Sequence, residues 1–161
     1  MHYVQHLSKD PVLNELIRQH GPFQLERKKN ICLYLCYSIM SQQLSTKVAN
    51  VLRQRFLELY GGKTPMPQQI VDTPFEKLRG IGLSNAKVSY IQNVARFEME
   101  QGMGHRRLTK MSNEEIIAYL THIKGVGRWT TEMLLMFALC REDVFAMDDW
   151  GLQQAVIGLY G

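Results

Sequence analysis

Two aspartates stand side by side near the end of this chain, Asp148 and Asp149 in the run DVFAMDDWGLQQAV, where they open an amphipathic stretch. Aspartates in that position are ordinary helix caps. One carboxylate is enough to cap, which leaves the other as a fixed anion that the helix dipole keeps ionised. A group of that kind stabilises developing positive charge, or orients and deprotonates a water. Trp129 lies 20 positions before Asp149, inside IKGVGRWTTEMLLMFAL. In that run Gly125-Val126-Gly127 joins one helix end to the next helix. Two glycines permit the positive φ angles of a tight turn, and Val126 plugs the space between the helices. The turn presents consecutive backbone N–H groups at a helix N-terminus, a nest for one phosphate that would grip a nucleic-acid backbone without reading sequence. Lys124 and Arg128 bracket it with positive charge. A plain interhelical turn has the same glycine pattern, but Gly80-Ile81-Gly82 repeats it in an earlier connection.

The elements that must position these residues read as helices throughout, so the expected class is all-α. Asp10 before Pro11 caps a first helix that Gly21-Pro22 ends. Asn30 to about Met40 (ICLYLCYSIM) is apolar nearly all round, the pattern of a helix buried at the centre of the fold. Ser45 caps a third helix to Tyr60, with Val48, Val51, Leu52, Phe56 and Leu59 on its apolar face and Lys47, Arg53 and Arg55 on the other. A proline-rich connection (TPMPQQIVDTPFEKL) follows, then a helix from Ser84 to about Met99. Ser112 and Glu115 form a capping box for a helix ending near His122, and the hairpin helix runs to Leu139.

Composition sets the outer bounds. With 161 residues, 45% hydrophobic and 21% charged, the chain suits one folded body or two small lobes. A net charge of +4 gives a modest field toward an anionic partner. Cys32, Cys36 and Cys140 show neither CxxC pairing nor histidines at zinc spacing, and read as reduced core thiols of a cytosolic protein. No apolar run reaches the roughly 18 residues of a membrane span, and the N-terminus lacks the pattern of a signal peptide. The expected location is intracellular: the bacterial cytoplasm and nucleoid, or a eukaryotic nucleus.

Taken together, the hairpin, the glycine-bearing loop and the aspartate resemble the helix-hairpin-helix superfamily of base-excision DNA glycosylases, over about Ser38 to Gly158. The spacing from Trp129 and the Asp149-Trp-Gly-Leu run look like the AlkA-type alkylbase branch, the DNA-3-methyladenine glycosylase II type. The resemblance implies two helical lobes with the active-site cleft between them. Residues 1–36 would begin the terminal lobe, 37–140 would form the helical barrel lobe with its hairpin at 121–130, and 141–161 would carry the catalytic aspartate and start a return helix. It implies excision of alkylated bases, the 3-methyladenine and 7-methylguanine class, from duplex DNA. Asp149 would stabilise the oxocarbenium-like sugar and activate water, with Asp148 as the cap.

Bifunctional members carry a lysine where this chain has Trp129, so the implied chemistry is hydrolysis that leaves an abasic site. Trp129 would stack on the flipped base, with Tyr37 and Met133 facing the same space. SIMSQQLSTKVA resembles the family's turn that fills the gap, with Gln43 as the wedge and Gln42 in support. Lys124, Gly125, Val126, Gly127, Arg128 and Thr130 would grip DNA. The carbonyls of Thr121, Ile123 and Val126 would hold a monovalent cation, sodium or potassium, and no other cofactor is required. The implied partner is damaged double-stranded DNA, with no membrane and no obligate protein partner. Trp129 as core and a non-catalytic hairpin module that only binds DNA remain open. Only 12 residues follow Asp149, where the family continues. The chain therefore reads as truncated at its C-terminal end, with exposed apolar surface on the Asp10–Asn30 segment.

Overall fold

The computed structural model describes residues 2–161, folded into eleven helices: α1 (His2–Leu7), α2 (Pro11–His20), α3 (Ile31–Ser41), α4 (Thr46–Glu58), α5 (Pro67–Asp72), α6 (Phe75–Gly80), α7 (Asn85–Glu100), α8 (His105–Leu108), α9 (Asn113–Leu120), α10 (Arg128–Phe137) and α11 (Trp150–Tyr160). No strand occurs among the described residues, in keeping with the all-α expectation. None of these helices is long and apolar enough to cross a membrane.

α3 starts where Asn30 caps it, the side chain accepting the Leu33 N–H at 2.9 Å. Ile31, Cys32, Leu35, Cys36, Ile39 and Met40 are all buried, because α4, α7 and α10 each pack on this helix. The lobe boundary expected between 36 and 37 therefore falls inside α3. The continuous core begins at Ile31 and runs to Leu139. Side chains such as Leu35, Ile39 and Phe56, fully withdrawn from water, contribute about 1.5–3 kcal/mol each.

α4 is rotated from its expected setting. Its buried stripe is Ala49, Leu52 and Phe56, whereas Val48, Val51 and Leu59 are exposed. The polar side explains the rotation, since Arg53 reaches back to the Ser41 hydroxyl at 2.7 Å and Arg55 donates to the Ile81 carbonyl at 3.3 Å. The proline-rich connection is not a loop but holds α5 and α6, with Pro67 in the first turn of one and Pro74 at the cap of the other. Gln92 of α7 donates to the carbonyls of Val71 (3.3 Å) and Thr73 (3.0 Å), fixing the end of α5.

The terminal helices are bound more loosely. Neither α2 nor α11 has a buried residue. They meet where the Tyr160 hydroxyl donates to Asp10 Oδ1 at 2.9 Å, the same oxygen that caps α2. Phe23, Trp150 and Ile157 are more than half exposed. Cys32 and Cys36 are core thiols as expected. Cys140 is only half-buried and sits after α10 with φ +56°, which departs from the core assignment.

Candidate active site

The hairpin is α9, the Gly125 turn and α10. Ser112 and Glu115 form the expected capping box at the start of α9. Ile123 and Val126 are buried, so Val126 does plug the turn. Only one of the two glycines has the positive φ anticipated: Gly125 at +107°, where a methyl group would also overlap the Tyr90 ring. Gly127 is extended, at φ −95°. Its contribution is different, for as N-cap it has no side chain to bond the first N–H groups of α10, and that helix end stays open.

Arg128 is not the open cation expected at the turn. Its guanidinium meets Glu114 at 2.7 and 3.1 Å, tying α9 to α10, and Glu132 of its own helix at 2.9 Å. Lys124 is exposed, and its carbonyl accepts the Asn93 amide at 3.2 Å. The Thr130 side chain is buried, with the Gln42 amide 3.5 Å from its hydroxyl, so only its backbone is left for a ligand.

Beyond α10 the capping role expected of Asp148 falls to Asp149. Asp149, not Asp148, caps α11, its Oδ1 accepting the Leu152 N–H at 2.7 Å. Its Oδ2 accepts Trp129 Nε1–H at 2.8 Å. Capping engages a single oxygen, so the same carboxylate also serves Trp129. Gly151 makes room for it: a Cβ there would lie 3.3 Å from Oδ1. The Leu152 N–H first and the Trp129 indole second hold the Asp149 carboxyl below the usual aspartate range. Asp148 is exposed.

Trp129 is 42% exposed with its indole edge fixed on Asp149, which leaves ring surface available for stacking. Met133 lies one turn on and is half-buried. Its carbonyl accepts the Tyr34 hydroxyl at 3.1 Å. Tyr34 was overlooked in the sequence, although it lies one turn before Ser38 on the same helix. Tyr37 does not join this group. It sits edge-on to Phe56 beneath the Arg53 guanidinium, 5.3 Å from the ring centre, and lines a cavity that Trp129, Met133 and Asp149 do not border.

Gln42 ends α3 and Gln43 follows at the exposed tip of the turn, in a left-handed conformation with φ +58°. Non-glycine residues held there cost energy and cluster at functional sites. Lys87 of α7 braces the turn by donating to the carbonyls of Met40 (3.0 Å) and Gln42 (2.8 Å), at the negative end of the α3 dipole. Burial lowers the Lys87 ammonium's pKa. No spacing rule in the sequence pointed to Lys87 or to Arg53.

An open helix N-terminus and a half-exposed tryptophan thus lie on the hairpin, and a doubly bonded aspartate beyond it meets that tryptophan. The family model described as HhH-GPD superfamily base excision DNA repair protein matches residues 36–161. The chain belongs to that superfamily. DNA-3-methyladenine glycosylase 1 of Schizosaccharomyces pombe is 36% identical over 143 residues, covering 88% of this chain and 63% of the relative. The chain thus spans less than two thirds of that curated relative. Among solved structures, a DNA-3-methyladenine glycosidase from Bacillus halodurans superposes with TM-score 0.85 at 37% identity, over 96% of this chain and 71% of that one. The S. pombe 3-methyladenine DNA glycosylase in complex with abasic DNA gives 0.84 at 35% identity, over 93% and 76%. The names of these similar proteins do not single out the AlkA-type branch of the superfamily.

Proposed function

We propose that this chain is the core of a monofunctional glycosylase that hydrolyses the N-glycosidic bond of alkylated bases in duplex DNA, the 3-methyladenine and 7-methylguanine class. The observation that carries the proposal is the Asp149 carboxylate, bonded through Oδ1 to the start of α11 and through Oδ2 to Trp129. The names of the relatives and the DNA bound in one of the similar structures agree with it.

An N3- or N7-alkylated purine carries positive charge. As the C1′–N bond breaks, the bonding pair goes to the base, which leaves neutral without a protonating acid. The sugar becomes oxocarbenium-like, water adds its oxygen to C1′, and the water's proton passes to solvent. Asp149 opposes the cationic sugar. Its two donors make the carboxylate a weak base, so its main work is electrostatic and orienting, with proton abstraction secondary. Trp129 offers an indole face to the electron-poor base, and no lysine stands there to form a Schiff base. Gln43 at the tip of its turn enters the gap left by the flipped nucleotide.

The uncapped first turn of α10 takes a backbone phosphate beside the lesion, with Lys124 alongside. A monovalent cation fits the carbonyls of Thr121, Ile123 and Val126. Ile123 accepts only the Val126 N–H at 2.9 Å among the described turn bonds, and Val126 faces no donor in that set. Such an ion would add positive charge at the phosphate. A protein working on genomic DNA belongs where that DNA is.

Asp149→Asn is expected to abolish release of 3-methyladenine, a loss of about a hundredfold or more, while binding to abasic duplex persists. Wild-type activity should stay level on the acid side until the pH falls below the ordinary aspartate value of about 3.9, since a depressed pKa keeps the carboxylate ionised until then. An acid limb near neutrality would instead make Asp149 a true general base. Full activity in Asp149→Asn ends the assignment. If wild-type protein binds abasic duplex yet releases no base from methylated DNA, the chain is a binding module.

A further inference from the structure

A cavity of about 460 Å³ opens between the segment before α3, the first half of α3, and Arg53 of α4. Arg27, Lys28 and Lys29 line one part of it, and Tyr34, Tyr37 and Arg53 another, with Glu26 as the one carboxylate. Four cations therefore face one acid in a chain whose whole net charge is +4. Among the described residues none of these four cations forms an ion pair. The basic run is anchored at its centre, where the Lys28 N–H donates to the Ala138 carbonyl at 3.0 Å.

Arg53 is the built part of the site. Its guanidinium lies over the Tyr37 ring and donates through Nη2 to Ser41 Oγ. Its Nε is cut off from solvent with no hydrogen-bond partner among the described residues. That nitrogen is closed to a ligand as it is to water, and the nitrogen of the fork left for a phosphate oxygen is Nη1, which bonds none of the described residues. The cavity does not suit the alkylated base, because a cationic purine would be repelled by four cations, whereas Trp129 and Asp149 attract it. A neutral apolar ligand would leave the cations with no counter-charge.

We propose that this cavity binds a phosphate of the DNA backbone, at a second site separate from the hairpin. The proposal rests on the reading that DNA is the partner. It also couples DNA to the wedge: Arg53 holds Ser41, which immediately precedes Gln42 and Gln43, so a phosphate on Arg53 steadies the turn that must enter the duplex.

The test measures affinity for an abasic duplex against salt, for wild type and for the triple variant Arg27→Gln, Lys28→Gln, Lys29→Gln. Loss of one phosphate contact should lower the slope of log affinity against log salt by about 0.9 and weaken binding about fivefold at 0.15 M salt. An independent reading on wild type follows the Arg53 Nε–Hε resonance in NMR, which should move when the abasic duplex is added. If wild type binds with a steep salt slope, the triple variant keeps that slope and the Arg53 signal stays still, the cavity assignment fails and the hairpin reading stands. If wild type shows no salt-sensitive duplex binding, both fail together. If inorganic phosphate moves the signal and duplex does not, the site serves a small phosphorylated ligand and the DNA assignment is overturned.

Discussion

The α6–α7 and α9–α10 connections have the same backbone, and they differ in how their openings are filled. Gly82 and Gly125 stand at φ +108° and +107°. Each is followed by a buried aliphatic residue, Leu83 or Val126, and then by an extended N-cap, Ser84 or Gly127. In the first turn the protein's own side chains fill three of the openings. The Ser84 hydroxyl accepts the Lys87 N–H at 3.3 Å, Arg55 donates to the Ile81 carbonyl, and Arg79 donates to the Leu83 carbonyl. In the second, Gly127 offers no hydroxyl, Asn93 takes the Lys124 carbonyl, and the Val126 carbonyl has no donor among the described turn bonds. The same turn is thus closed by the protein's own side chains in one place and left open in the other. An arginine side chain occupies in one turn the carbonyl position assigned to a monovalent cation in the other.

The largest effect should come from the residue that makes the second turn possible. Gly125→Ala meets both a disfavoured φ and the Tyr90 ring, whose Cβ and Cγ cannot swing aside as a side-chain tip could. A loss of about 3 kcal/mol or more is expected in chemical denaturation. Gly82→Ala has the same φ problem but meets only the end of Leu52, at 3.1 Å, and should cost about 1–3 kcal/mol. Equal losses in the two variants would show that the Tyr90 contact does not constrain the hairpin.

A smaller change converts one turn toward the other. Gly127 has an ordinary φ and open space where a Cβ would go, so Gly127→Ser can be built without strain. Its hydroxyl would cap α10 as Ser84 caps α7. Stability should rise by a few tenths of a kcal/mol, while affinity for abasic duplex should fall about tenfold as the hydroxyl competes with a phosphate for the same N–H groups. Unchanged affinity would mean that the open cap is not where DNA is held.

The comparison also shows why the sequence was readable in some places and misleading in others. Capping residues act within three or four positions, so Asp10, Asn30, Ser45, Ser84 and Ser112 each marked the right helix start. The apolar run at 31–40 similarly announced its own burial. The Gly80-Ile81-Gly82 repeat was real but read two residues out of register, because the positive φ belongs to the glycine three residues before the next helix. Pattern alone does not say which glycine that is. The Arg128 contact with Glu114, 14 residues away, depends on how α9 meets α10, whereas its other partner, Glu132, stands at the i, i+4 spacing that a sequence does show. Resemblance sets Asp149 apart from Asp148 but does not show which of them caps α11, since a carboxylate's two oxygens can serve two elements. Arg53 and Lys87 were invisible for the same reason as the Arg128 contact with Glu114: their partners lie on other helices.

The smallest effect expected is Ser84→Gly, and it separates backbone geometry from surroundings. Removing the hydroxyl should cost a few tenths of a kcal/mol and uncaps α7, so that its first turn resembles that of α10. If an open N-terminus after this turn were sufficient for binding, the variant would gain salt-sensitive affinity for duplex. No gain beyond about twofold is expected. Arg55 and Arg79 still fill the carbonyls of that turn, and neither Trp129 nor Asp149 lies on α7 to hold a flipped nucleotide against it. Affinity that rises with Ser84→Gly while Gly127→Ser loses it would show that the cap alone directs DNA between two equivalent turns. Affinity that responds only to Gly127 ties the phosphate to the hairpin that carries Trp129.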